Sequence, residues 1–374
     1  MADHDAETLM DMPNPFTRKR ELSVSLPLVG AVVDTDPHGQ VLRARVASTP
    51  PPPAADRPVP KLGSYALMAL FRSSPYAQVF LAHKESTFGT LHTAVVKWVS
   101  KDHQEYAVCR EMLIDEGRAM AMIDHANVVK VLDLEELQRG VYLAMEYVSG
   151  PDLRTILDLL ARRDARLPYA LSAFLVAAIL RGLHAAHFTN DFNGTEAQII
   201  HRDVNPSNIL VSSSGEAKLA DFGVVRMRSR AQAMTMPGIV KGKLRYMSPE
   251  YMSGEVCTLQ TDVYSMGVTL YELLSGVMPL ADLEATQAVR IAMEVGLSVK
   301  PLTKMGVPEP LVKVVQRAIA RLPADRFTSA GEMADAIVAW LDEQPVHVDA
   351  HTLGAYMKDQ NMSRGQVRGM KRWL

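Results

Sequence analysis

The segment IIHRDVNPSNILVSSSGEAKLADFGVVR, residues 199–226, carries Asp203, Asn208 and Asp221 in close order, on loops flanking an expected short hairpin whose turn is SSSGE. Carboxylate and carboxamide oxygens suit magnesium, a hard cation that is usually held by few protein ligands and shared with phosphate oxygens. Phosphoryl transfer needs such a set: metal ions bridging the phosphate oxygens, a carboxylate that orients the attacking hydroxyl, and a fixed cation on the remaining phosphates. On that reading Asp203 orients the hydroxyl, while Asn208 and Asp221 hold Mg2+. Any one of the three is also an ordinary turn former. The ordered set carries the reading.

The elements that must hold these loops are legible in outline. YALMALF, AQVFLAHK and HTAVVKWVS are short apolar runs separated by polar turns, as in an antiparallel sheet. The helical stretch EYAVCREMLIDEGRAMAMI follows, and VVKVLDLEEL and GVYLAMEYV return to strand. After Gly150 the apolar spacing becomes helical, in LRTILDLLARR, YALSAFLVAAILRGLHAAH, DVYSMGVTLYELLSG and GEMADAIVAWLDEQ. The fold class is therefore α+β: a small β-rich lobe over 63–148 and a larger helical lobe over 149–342. Residues 1–62 read as a flexible extension, because STPPPPAADRPVP lacks the amide donors a ladder needs. Residues 343–374 read as a tail with a basic, solvated end.

Composition bounds the partners. The 374 residues are 48% hydrophobic, enough for a sizeable core, and a formal net charge of −2 creates no field that would gather nucleic acid or an anionic membrane. ALSAFLVAAIL, at 170–180, is too short to span a bilayer and reads as a buried helix. The acidic start MADHDAETLMDMPNPF lacks the features of a secretory signal, and two distant cysteines, Cys109 and Cys257, suggest neither a disulfide framework nor a zinc site. A cytoplasmic protein is expected.

The phrases HRDVNPSNIL, LADFG, KGKLRYMSPE, TDVYSMGVTLYELLSG and LPADRFTSAGEMADAI occur in the order and at the distances of one family. Over roughly residues 63–342 the chain resembles a eukaryotic-type serine/threonine protein kinase of bacterial flavour, which implies a bilobal kinase fold, Mg-ATP as cofactor and a protein substrate. The resemblance makes Lys97 of AVVKW the lysine on the α- and β-phosphates. Its helix partner would be Glu116, nine residues before His125; Glu111 would face elsewhere on the helix. MEYVSGPDL resembles the adenine-binding hinge, with Met145 as gatekeeper, backbone groups near Glu146 and Val148 on the adenine edge, and Asp152 near the ribose. Phe71, Ser74, Ala77, Val79, Val95 and Leu210 would complete the nucleotide contacts. His201, Phe222 and Met120 would lock the active arrangement, Glu250 would pair with Arg326, and Asp262 would anchor the catalytic loop. Arg202 would receive a phosphate placed on the activation segment, with Thr235 the first candidate acceptor and Ser229 the second. Pairing of two N-lobes is a further property the family allows.

Three departures bear on activity. Arg72, Ser74 and Ala77 replace the glycines of the phosphate loop, and Pro75 removes an amide at its tip. Val95 adds two methyl groups where alanine usually faces adenine, and overpacking costs about 1–3 kcal/mol. Asn205 stands in place of a lysine near the γ-phosphate, while Lys243 occupies an activation-segment position usually held by threonine. Two readings of Lys243 stay open: it reaches Asp203 and restores that cation, or it is an ordinary surface lysine. Two function classes follow: an active Ser/Thr kinase with weakened ATP binding, or a pseudokinase acting by partner or nucleotide binding.

Overall fold

The computed structural model describes residues 31–35, 41–46, 60–191, 193–222, 243–362 and 371–372. Two compact units divide the chain, Met1–Arg57 and Pro58–Leu374. In the first, strand β1 (Ala31–Thr35) pairs antiparallel with β2 (Val41–Val46). The extension expected over residues 1–62 thus contains a strand pair, while residues 47–59, over its proline-rich stretch, lie outside the described residues. Both strands are rich in valine, and the sequence between them, DPHGQ, has turn-forming composition.

The second unit opens with β3 (Lys61–Leu62), β4 (Tyr65–Ser73), β5 (Gln78–Glu85) and β6 (Leu91–Ser100), followed by helix α1 (Tyr106–Ala121), β7 (Val131–Leu137) and β8 (Gly140–Glu146). These strands form an antiparallel sheet in the order β4-β5-β6-β8-β7, with β3 beside β4. The period of two sorts β6: Ala94, Val96 and Trp98 are buried on one face, so Val95 and Lys97 share the other. Val79 and Leu143 lie opposite Lys97, and Met145 lies opposite Val95, which gathers the expected nucleotide residues on one surface. Helix α1 packs there closely because Gly117 has no side chain; a Cβ would come within 3.0 Å of a Leu134 methyl.

Beyond Glu146 the chain crosses to α2 (Leu153–Ala161) and α3 (Tyr169–His187). Gly150 permits that crossing, since a Cβ would meet the Val211 carbonyl oxygen at 1.8 Å. A 3-10 turn (Pro206–Asn208) leads into the hairpin β9 (Ile209–Val211) and β10 (Ala217–Leu219). A second 3-10 turn (Lys243–Tyr246) precedes α4 (Pro249–Ser253), α5 (Leu259–Ser275), α6 (Ala285–Glu294), α7 (Lys300–Lys304), α8 (Glu309–Ala318) and α9 (Ala330–Asp342). Helix α3 lies against α5 and α9. At 19 residues it is longer than its expected apolar run and long enough to cross a bilayer, yet Leu175, Val176, Ile179, Leu180 and Leu183 are buried in the helical core.

The solvated tail is also corrected. Helix α10 (Ala350–Asp359) buries Leu353 and Met357, Met362 is buried after it, and β11 (Lys371–Arg372) pairs antiparallel with β4 at Leu70 and Ala69. The apolar spacing of Leu353 and Met357, one helical turn apart, makes that burial possible. The fold is α+β, a sheet lobe followed by a helical lobe.

Candidate active site

Buried Asp262, on α5, fixes the loop that carries Asp203. Its two oxygens accept the backbone N–H groups of His201 at 2.7 Å and Arg202 at 2.8 Å, and His187 Nε2 lies 2.9 Å away. Burial alone would raise the Asp262 carboxyl, but these hydrogen bonds outweigh it and hold the group below its ordinary range. His201 is pushed below its ordinary value by complete burial, which keeps the ring neutral. Its Nδ1 accepts the Asp203 N–H at 3.2 Å, so Nε2 donates to the Ala220 carbonyl at 3.1 Å. The ring also packs against Phe222 at 4.5 Å between centroids, and Phe222 shares a core with Met120. Arg202 and Asp221 adopt positive φ, 64° and 57°, strained conformations that commonly mark functional loops.

Three side chains converge on Asp203. Asn205 Nδ2 donates to Oδ1 at 3.0 Å, and Asn208 Nδ2 donates to Oδ2 at 3.0 Å. Lys243 Nζ also lies 3.0 Å from Oδ2. Both asparagines donate to the Asp203 carbonyl as well, at 2.8 Å. The Asn205 side-chain oxygen caps the following turn by accepting the Ser207 N–H, with Pro206 in first position. Asn205 is thus a brace for Asp203, a role that its place before Pro206 and Ser207 could have signalled.

Across the cleft, Lys97 Nζ lies 2.8 Å from both Glu116 oxygens and 3.4 Å from Asp221 Oδ1. Glu111 is exposed on another face of α1. Because Asn208 spends its amide on Asp203, its carbonyl oxygen is the atom that could join Asp221 on a cation. Among the described residues no cluster of three or more His, Cys, Asp or Glu could enclose a metal by itself. One carboxylate with one carboxamide instead fits a divalent ion completed by water and phosphate oxygens.

The match to the protein kinase domain family extends over residues 75–338. The chain belongs to this family. Among relatives, the Tyrosine-protein kinase MasK of Myxococcus xanthus is 33% identical over 299 residues, 79% of this chain and 46% of that protein. The Serine/threonine-protein kinase PknL of Mycobacterium tuberculosis is 36% identical over 228 residues, 61% of this chain and 54% of PknL. This kinase chain therefore spans about half the length of those relatives. The crystal structure of the Mycobacterium tuberculosis PknI kinase domain superimposes with a TM-score of 0.54 at 25% identity, covering 76% of this chain and 99% of that one.

Other positions of the kinase site are placed as follows. Val79, Val95 and Leu210 are half-buried, Met145 and Val148 are buried, and Ala77 is buried at the end of the β4–β5 turn. The Glu146 side chain accepts from Lys218 Nζ at 2.7 Å and from the Lys130 amide at 2.9 Å, and its own N–H donates to the Lys130 carbonyl at 2.9 Å. The Asp152 carboxylate caps α2 by accepting the Thr155 N–H at 2.7 Å. Phe71 stacks on Tyr147, with centroids 6.3 Å apart, a hinge contact that the sequence did not announce. Ser74 closes the β4–β5 turn through its own hydroxyl. Thr235 and Ser229 lie outside the described residues. Beside the Lys243 turn, a shallow surface depression is lined by Leu244, Arg245, Met247, Met252, Pro279 and Met293.

Proposed function

We propose that the chain transfers the γ-phosphoryl group of Mg-ATP to serine or threonine hydroxyls of a protein. The observation that carries this is the convergence of Lys243, Asn205 and Asn208 on Asp203, facing the Lys97–Glu116–Asp221 set. Bound Mg-ATP would supply the phosphoryl group and, through its metal, charge neutralisation at the transferring oxygens. Asp203 orients the attacking hydroxyl and takes its proton. Lys97, held by Glu116, would position the α- and β-phosphates, and Asn208 and Asp221 are the residues that would hold the metal. Lys243 offers the transition state the positive charge that Asn205 cannot.

A protein substrate is what membership of the protein kinase domain family implies. Free Cys109 and Cys257 suit a reducing, cytoplasmic setting. Serine or threonine is preferred over tyrosine because HRDVNPSN lacks the arginine that tyrosine kinases carry in this loop. Incubation with labelled ATP and magnesium, beside an Asp203→Asn control, tests the reading. Label on serine or threonine that disappears in the control is expected. Label on tyrosine would reassign the acceptor, and no label with no thermal stabilisation by Mg-ATP would leave a binding role.

A further inference from the structure

The turn between β4 and β5 has used its own donors. Pro75 has no N–H, and the amides of Tyr76 and Ala77 both donate to Ser74 Oγ, at 3.3 and 3.1 Å. Ser74 in return donates its N–H and its hydroxyl to the Ala77 carbonyl, each at 2.9 Å. A phosphate over this loop therefore meets a closed turn, where a glycine loop would present amides.

Opposite the tip stands His103, in the connection between β6 and α1. Its Nδ1 accepts the N–H of Glu105, the residue that precedes α1, at 3.1 Å. An accepting Nδ1 leaves the proton on Nε2, and Nε2 donates to the Pro75 carbonyl. Cys109 Sγ closes the socket 3.7 Å from Nδ1. The backbone around the ring is fixed too, since His103 N–H donates to the Ser100 carbonyl and Tyr106 N–H to the His103 carbonyl, both at 3.0 Å. One imidazole thus joins the tip of the phosphate loop to the start of the helix that carries Glu116.

We propose that His103 is a positioning residue that fastens the 74–77 turn to α1, so that the roof over the phosphates and the helix holding Lys97 move as one body. The roof then acts by placement and by excluding water, and the phosphates are gripped from the opposite side by Lys97 and the Asn208–Asp221 pair. This rests on the kinase reading for the identity of what lies under the roof; the fastening does not.

Hydrogen–deuterium exchange on the nucleotide-free full chain, paired with ATP kinetics, tests it. His103→Ala is expected to speed exchange across residues 73–78 and to raise KM for ATP roughly three- to tenfold, the scale of one hydrogen bond, with little change in kcat. His103→Gln, whose amide N–H stands in for Nε2, should restore both. His103→Asn, which keeps only the acceptor for Glu105, should restore neither. Rescue by Asn and failure of Gln would show that the ring merely caps α1 and would overturn the proposal, as would unchanged exchange at 73–78 in His103→Ala. Wild-type protein that does not bind Mg-ATP would remove the kinase reading, while the exchange comparison among variants still decides the fastening.

Discussion

Lys243 approaches Asp203 from the activation segment, so its charge is in place only when that segment is. In the proposed mechanism the cation comes from the separate turn at 243–246, where other kinases would carry it in the catalytic loop itself. Lys243→Ala is expected to lower kcat by about 10²-fold, the usual cost of removing one group that stabilises transition-state charge. Adding Asn205→Lys to that variant should recover part of the loss. Steady-state kinetics on both variants, with ATP saturating, check this. At this scale the sequence was most informative where spacing is local: Asp203, Asn208 and Asp221 stand within 19 positions of one another and take their places through short loops and a hairpin. It was least informative about His103, whose partner Pro75 lies 28 positions away and leaves no local pattern.

Among the elements, the β4–β5 turn shows how a lost glycine pattern can be replaced. Ser74 Oγ takes the two amides that glycine would leave open. The combined Arg72→Gly, Ser74→Gly and Ala77→Gly variant should bind Mg-ATP severalfold more tightly by freeing them, as titration calorimetry would show; unchanged affinity would place the limit elsewhere, with Val95 the next suspect. Helix α10 makes a different point. Its residues look like a polar tail, because a ten-residue helix with two core side chains has little periodicity to read. Its place is set by contact with the β9–β10 turn, where a Cβ on Gly215 would lie 1.9 Å from the Ala350 carbonyl oxygen. Leu353 is only 1% exposed, so Leu353→Ala is expected to destabilise the fold by about 2–4 kcal/mol in urea unfolding. The strand β6, by contrast, was readable from HTAVVKWVS as a short apolar run, although which of its residues face the core was not.

For the whole molecule, acid sensitivity follows from three buried groups. Glu250 and Arg326 form a two-pronged pair, with both N···O distances 2.8 Å. Burial alone would raise the Glu250 carboxyl, but Arg326 outweighs it and holds the group below its ordinary range. Asp262 is held low in the same sense, and His201 is held low by burial. Each folded value lies below the unfolded one, so the unfolded chain takes up protons first as pH falls. Stability should decline from about pH 6.5 through His201, and more steeply below about 4.3 as the carboxyls titrate. A Tm series from pH 7.5 to 3.5 would show both stages; a Tm that rises on acidification would contradict them. Glu250→Gln leaves Arg326, itself 2% exposed, without its counter-charge and should cost about 3–5 kcal/mol.

The pairing of β11 with β4 joins Leu70 to Lys371 and Ala69 to Arg372, so the sheet receives its outer strand from nearly the far end of the sequence. During synthesis β3 to β8 emerge early and β3 covers Tyr65 and Ala66, whereas the stretch of that border at Ala69 and Leu70 waits until the helical lobe has been translated. Until then that stretch is an unpaired edge, the state in which strands recruit foreign partners. Completing the sheet is a late, long-range step, and a slow final phase in refolding is the kinetic signature it should leave.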